Sequence, residues 1–324
     1  MIYQRIGARV AATGSYSPPR IVTNEELSDG AGKKLRRLLG ISERRVAAAH
    51  EACSDLIAEA GKRALETAHI SPLDLDRIIV SATPGDFVEP PTASVVQYKL
   101  GARCPAVDVK MSCVGWLAGV DYALRCIATG ERAILVLAGT IISKGDPFKS
   151  ITHQAIFGDG AGATLIEANG GAGHFLAGTL WTDGQHYTKI NLPHPASVHP
   201  PEIPEEFRGK FYMGSQRTFF QHMREVGPPL LEGMLKEAGL TKEEIDVVIL
   251  HQPSKPLFEV ALKALEFPRE KVVNNLRTHG NTISAELPIA LDQSIRSGRI
   301  KRGDKVLLVT FGAGFNAGAT VMIY

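Results

Sequence analysis

Long apolar runs are missing from this sequence. No stretch approaches the roughly 20 apolar residues that a membrane helix needs. Residues 1–10 are interrupted by polar and charged side chains, so no secretory leader is expected. Charge of one sign is missing too. Lys and Arg number 36 against 34 Asp and Glu, and the formal net charge is +2. The densest basic cluster is Lys33-Lys34 with Arg36-Arg37, which gives no field of the kind that marks a nucleic-acid binder. Cysteine is scarce. Cys53, Cys104, Cys113 and Cys126 match no zinc or C-x-x-C spacing, and reduced thiols in a cytoplasmic protein are expected. The phosphate-loop signature G-x-x-x-x-G-K-S/T is absent, and no G-x-G-x-x-G follows a strand with an acidic partner. Membrane spans, cysteine-rich metal centres and nucleotide loops all drop out.

What remains is a chain of 324 residues, 44% of them apolar, long enough for two intimately joined halves. Short apolar runs alternate with helical patterns, the mark of an α/β architecture. Residues 78–80, 133–137, 247–250 and 306–309 are continuous apolar runs, as expected for strands covered on both faces. The chain also repeats itself. Residues 68–80 parallel residues 238–250, and 129–136 parallel 302–309, both at an offset of roughly 170 residues. This predicts two homologous halves, 1–170 and 171–324. Between 181 and 210 runs a segment rich in Pro and His with little periodicity, read as a long excursion and a candidate lid or partner surface. His186, His194 and His199 lie there without Cys or acidic companions at ligand spacing, so no metal is expected.

Chemistry concentrates at three places. Residues 106–110 read as a strand. Met111-Ser112-Cys113 follows, then an amphipathic helix with Val114, Leu117, Val120, Leu124 and Ile127 on one face. Cys113 therefore sits at a strand-to-helix corner, where free amides and the helix dipole favour a thiolate. Cys53 and Cys126 fall within helical patterns, and Cys104 in a turn beside Pro105. His251 ends the apolar run 247–250, and catalytic groups of α/β sheets gather at carboxyl ends of strands. Asn281 stands in His279-Gly280-Asn281-Thr282, before a helix expected from about 283 to 297. Taken singly, His251 reads first as a capped or core histidine, and Gly-Asn as a turn. Glycines cluster in Phe157-Gly158-Asp159-Gly160-Ala161-Gly162-Ala163 and in Phe311-Gly312-Ala313-Gly314-Phe315, where backbones can approach closely.

These residues together resemble a known family, the type III beta-ketoacyl-acyl-carrier-protein synthases of the thiolase-fold condensing enzymes. The likeness runs over essentially the whole length. It is carried by Gly40-Ile41-Ser42-Glu43-Arg44-Arg45, Ser112-Cys113-Val114-Gly115-Trp116, the 157–163 glycine motif, Tyr212-Met213-Gly214, His251-Gln252-Pro253, Gly280-Asn281-Thr282 and residues 303–312. The resemblance implies a thiolase-like five-layered α-β-α-β-α fold. It implies a Cys113, His251 and Asn281 triad, with the backbone amides of Cys113 and Ala313 as oxyanion hole. Cys113 would take an acyl group from an acyl thioester, acyl-CoA or acyl-carrier protein. His251 and Asn281 would then stabilise the enolate left when malonyl-carrier protein loses carbon dioxide. No metal or redox cofactor is implied. A homodimer is, with no nucleic acid and no membrane as partner.

Departures from the family pattern concern the substrate. Lys34 replaces a CoA-stacking Trp, Leu38 an Arg with Arg37 adjacent, and Ile151 a second CoA-contacting Arg. Pro256 replaces a carrier-docking Arg, with Lys255 beside it, and Ser254 replaces the Asn of H-Q-x-N. Residues 283–286 read Ile-Ser-Ala-Glu where the family has small residues. The acyl-pocket gate falls near Phe87 to Glu89. An inward Glu89 would suit a polar acyl group, and an inward Phe87 a plain chain. The substrate-binding candidates are Lys34, Arg37, Phe87, Glu89, Phe219 and Lys255. The losses leave open a relative that moves an acyl group to an alcohol or amine without condensation. A degradative thiolase would need a second Cys near residues 311–314, and a Cys-His-Asn hydrolase would not explain the duplication.

Overall fold

The computed structural model describes residues 2–144, 148, 150–169, 174–192, 200–214 and 216–324, with the side chains of 2–5 and 216 left aside. His194, His199 and the prolines 193 and 195 lie outside these.

The apolar runs become central strands because their alternate side chains face two different cores. Ile79, Val136 and Ala138 point to one side of their sheet, and Ile78, Val80, Leu135 and Leu137 to the other. In the second half Val247, Ile249, Val306 and Leu308 share the first group's core, while Val248, Leu250, Leu307 and Val309 line a third. Nearly all are fully buried, each contributing about 2 kcal/mol of hydrophobic stabilisation.

Two five-stranded sheets result. The first runs Ala8–Tyr16, Gly160–Ala168, Ala133–Thr140, Arg77–Thr83, Ala106–Asp108 in spatial order. The second runs Ile2–Ile6, Phe175–Thr182, Asn316–Ile323, Lys305–Gly312, Val247–Leu250. Helices Gly115–Ala128 and Glu286–Arg296 fill the space between them, in a core drawing on both sheets. Cys53–Ala68 and Thr92–Leu100 cover the outer face of the first sheet. Gln216–Ala238 and Lys255–Leu265 cover that of the second. The layers are α-β-α-β-α, the thiolase-like order.

The duplication is visible in register. Arg77–Thr83 pairs parallel with Ala133–Thr140, and Val247–Leu250 parallel with Lys305–Gly312. The Asp76 carboxylate accepts the Ala133 amide at 2.9 Å, and Asp246 that of Lys305 at 2.8 Å, at matching positions. Even the short strand Ala106–Asp108 has a counterpart, a parallel bridge between Val248 and Val272. Residues 2–6, however, pair with Phe175–Thr182 and so add the chain's first strand to the second half's sheet. No described helix is long and apolar enough to cross a membrane.

Candidate active site

Cys113 lies in a 3-10 turn, Ser112–Val114, that leads into helix Gly115–Ala128. Ser112 has φ 50°, and Ile283, packed in the same apolar cluster as Cys113, has φ 53°. Left-handed geometry at non-glycine residues costs about 1–3 kcal/mol each. It persists because the surroundings fix it. The Thr310 hydroxyl donates to the Cys113 carbonyl at 3.2 Å. A Cβ on Gly312 would stand 3.1 Å from the Cys113 amide nitrogen and 3.3 Å from its Cβ. One on Gly115 would collide with the Ser81 hydroxyl. The corner is thus clamped between residues 310–312 and Ser81. Among the described residues, neither the Cys113 nor the Ala313 amide donates to a backbone carbonyl or side chain.

His251 continues the ladder of its strand, its amide donating to Val309 at 2.9 Å. Its side chain is 1% exposed, as is that of Glu286, and His251 Nδ1 lies 2.5 Å from Glu286 Oε2. The approach is off the axis of a good hydrogen bond, so charge is its main content. Glu286 opens helix Glu286–Arg296, where the dipole favours an anion, and its other oxygen accepts the Gln252 amide at 2.9 Å. Burial works against a charged imidazole here. The Glu286 carboxylate and then the neighbouring Cys113 sulfur outweigh it and push His251 up to about 10.

Gln252 carries the strand end toward the third residue. Its carboxamide donates to Val273 and accepts the amides of Asn275 and Leu276. The short helix Leu276–His279 follows, and then Asn281. Asn281 forms a bridge with Phe157, its amide donating to Ile156 at 2.9 Å and its carbonyl accepting Gly158 at 3.2 Å. Gly158 is required there, because a Cβ would lie 2.1 Å from the His279 carbonyl oxygen. Asn281 Oδ1 accepts the Ile283 amide at 2.8 Å, which leaves the Nδ2 amide as the donor. Ile283 and Phe157 share the apolar cluster against which Cys113 packs, and Ser284 lies beside Gly115. Three distant segments therefore converge on one place.

The other motif residues are structural. Asp159 is fully buried and accepts the amides of Ala47, Ile142 and Ser143. Arg44, 2% exposed, donates to Val22, Asn24 and Ala155, and burial lowers it to about 10. Cys53, Cys104 and Cys126 are all pushed up, first of all by burial, which suits inert thiols.

The substrate candidates divide. Lys34 and Arg37 are exposed on helix Gly32–Leu39. Gly40 ends that helix against Lys255, whose Cβ would touch a Cβ on Gly40 at 2.8 Å. Lys34 and Arg37, three residues apart, lie on one side of their helix, and Lys255 is exposed beside its C-terminal glycine. Pro256 sits in the first turn of helix Lys255–Leu265, where proline is well tolerated, and Ser254 is its N-cap. Phe87 and Glu89 are exposed, Phe87 at 60% with Val88 at 74%, so in the single chain neither points into its own interior. Phe219 is buried and packs edge-on to Phe315 at 4.8 Å. Glu286 is the residue that sequence reading noticed only as a departure. Its signal was a carboxylate in a stretch of small residues.

The family model for 3-oxoacyl-(acyl-carrier-protein) synthase III matches residues 107–184, and the model for the C terminal of the same synthase matches 235–324. The chain is similar to a beta-ketoacyl-(acyl-carrier-protein) synthase III of Caldanaerobacter subterraneus subsp. tengcongensis, at 36% identity covering 98% of each chain. It is 34% identical to that of Methylococcus capsulatus, over 98% of this chain and 99% of the other. The crystal structure of the synthase from Thermus thermophilus superposes with a TM-score of 0.88 at 31% identity, over 97% of this chain and 98% of that one.

Proposed function

The chain belongs to the beta-ketoacyl-(acyl-carrier-protein) synthase III family, and on that premise we propose that it condenses an acyl group held on Cys113 with a malonyl unit delivered by a carrier protein. The Cys113 thiolate attacks an acyl thioester. A carbon–sulfur bond forms, and the donor thiol leaves with a proton. Malonyl thioester then enters. Its carboxylate departs as carbon dioxide, and the electron pair passes to the thioester oxygen, where His251 and the Asn281 Nδ2 amide donate hydrogen bonds. The enolate carbon attacks the acyl carbonyl, whose oxygen is held by the amides of Cys113 and Ala313. Collapse expels the Cys113 thiolate and frees a 3-oxoacyl thioester.

The observation that carries this reading is His251, buried beside the Glu286 carboxylate with the Cys113 sulfur as a neighbour. An imidazole beside a cysteine sulfur and backed by a carboxylate is an arrangement that serves a nucleophile in acyl transfer. Lys34, Arg37 and Lys255, all exposed, are suited to an anionic donor or carrier protein. Phe87 and Val88 offer an apolar patch to a second copy, in a cytoplasmic homodimer serving fatty-acid initiation or a specialised pathway.

A second reading has one observation in its favour. Glu286 completes a Cys-His-carboxylate array of the kind that serves nucleophilic acyl transfer without condensation. Malonyl-carrier protein with labelled carboxylate separates the two. Condensation releases labelled carbon dioxide and yields a 3-oxoacyl thioester by mass spectrometry. Acylation of Cys113 without that release would select plain transfer. No acylation by any acyl-CoA or acyl-carrier donor would reject both.

A further inference from the structure

Beside the loop Ala313–Phe315, on the opposite side from the fold's central helices, three side chains from two separate segments meet. Asp183 caps the 3-10 turn Gly184–His186. His222 comes from the second turn of helix Gln216–Ala238. One ligand atom from each of Asp183, His186 and His222 lies within 4.8 Å of the others. Asp183 Oδ2 is 3.3 Å from His222 Nε2 and 3.9 Å from His186 Nε2. The two imidazoles stand at 84° with centroids 4.4 Å apart.

The hydrogen bonds settle which atoms face inward. Asp183 Oδ1 is taken by the Gln185 amide at 2.9 Å, so Oδ2 is the oxygen turned to the histidines. His222 Nδ1 lies 3.1 Å from the Thr218 carbonyl. A carbonyl only accepts, so Nδ1 carries the hydrogen. Nε2 is then the ring nitrogen turned to Asp183 Oδ2, and the two atoms can share one cation. A histidine fixed by Nδ1 donation to a backbone carbonyl, with Nε2 free, is the usual arrangement of a metal ligand. The 3.3 Å pair has the spacing of two ligands on one ion, and the 3.9 Å pair needs only a small turn of His186. Metal–ligand bonds of about 2.0–2.1 Å in a tetrahedron put ligand atoms roughly 3.4 Å apart.

We propose that Asp183, His186 and His222 bind one divalent transition metal of the zinc class, with water completing the coordination. Two imidazoles and one carboxylate suit zinc, cobalt or nickel rather than magnesium or calcium. The side chains are 15–27% exposed, open enough for an ion to enter. His186 and His222 border a small cavity shared with Phe219, Ala313 and Phe315. Lys189 is the cation on the same wall, and it is exposed enough to turn to solvent. Asp183 and Phe315 exchange both backbone hydrogen bonds at 2.8 Å. A bound ion would therefore brace the loop that carries the Ala313 amide, two residues from Phe315. The sequence alone hid this set, because His222 lies 36 residues from His186 and Asp183 reads as an ordinary turn residue.

Cobalt titration of the full-length chain tests it. One equivalent of Co2+ should give the visible d–d bands of tetrahedral coordination, displaced by Zn2+, and Zn2+ should raise the melting temperature. Binding should be unchanged in C113A, which removes the thiolate as an alternative ligand. H186A, on an exposed turn and expected to fold, and D183N should each weaken binding by about tenfold or more. An absence of tetrahedral bands, or uptake that survives both H186A and D183N, would overturn the site and leave His222 and Asp183 as a simple ion pair.

Discussion

His251 Nδ1 and Glu286 Oε2 stand 2.5 Å apart, each side chain 1% exposed, with the Cys113 sulfur a neighbour of the imidazole. Removing one member of a buried pair leaves the other charge unmatched. E286Q keeps shape and removes charge. The imidazole then feels burial without its counterion, and its proton affinity falls. The alkaline limb of the kcat/KM profile should move to lower pH by more than one unit, with a drop in kcat of about a hundredfold at neutral pH. A profile that does not move would show that Glu286 only fills space.

The same pair makes stability depend on pH. His251 is raised when folded, to about 10 from an ordinary 6.5. Its contribution is fully present below the ordinary value and is lost as pH rises through about 10. Chemical denaturation of the wild type should therefore show stability falling between pH 7 and pH 10, with a shallower fall in E286Q. Equal slopes in the two proteins would remove the ion pair as the cause.

Cys113 and His251 were singled out in the sequence by position, Cys113 at a strand-to-helix corner and His251 at the end of a continuous apolar run, and their pairing came only from the family resemblance. Asn281 was legible only through its motif, since Gly-Asn by itself is a turn. Glu286 was not, because a carboxylate in the first turn of a helix ordinarily faces water and the helix dipole explains it. Only the crossing of helix Glu286–Arg296 with the strand end at Leu250 turns it inward. The sheets followed the same logic. Runs such as 247–250 announce two-sided burial, whereas nothing in residues 2–6 says that they cross to the second half's sheet.

The Asn281 amide separates the two half-reactions. Its Oδ1 is occupied by the Ile283 amide, so its role in chemistry rests on Nδ2. N281A should still form the acyl-enzyme on intact-mass analysis, because Cys113 and His251 remain. Release of carbon dioxide from the malonyl thioester should fall by about 10²–10³. Parallel loss of both steps would mean that Asn281 acts by holding the fold at Phe157 and Gly158.

Gly312 gives a steric test of the clamp on the nucleophile. A Cβ there meets the Cys113 backbone nitrogen at 3.1 Å, and backbone cannot swing aside as a flexible side chain would. G312A should cost about 1–3 kcal/mol of stability and slow acylation of Cys113 by more than tenfold. Wild-type acylation rates in a folded G312A protein would mean that the turn Ser112–Val114 yields freely.

The basic face argues the last case. Lys34, Arg37 and Lys255 are exposed and close together through the contact of Gly40 with Lys255, and none lies in the buried cluster around Cys113. Charge on such a rim acts on encounter rather than on chemistry. The double variant R37E/K255E should raise KM for the carrier-borne substrate several-fold with kcat little changed, and the wild type should lose that advantage as salt rises and the Debye length shrinks below about 8 Å. An unchanged KM at low salt would place carrier docking elsewhere. A fall in kcat with KM constant would tie these residues to the chemistry at Cys113 instead.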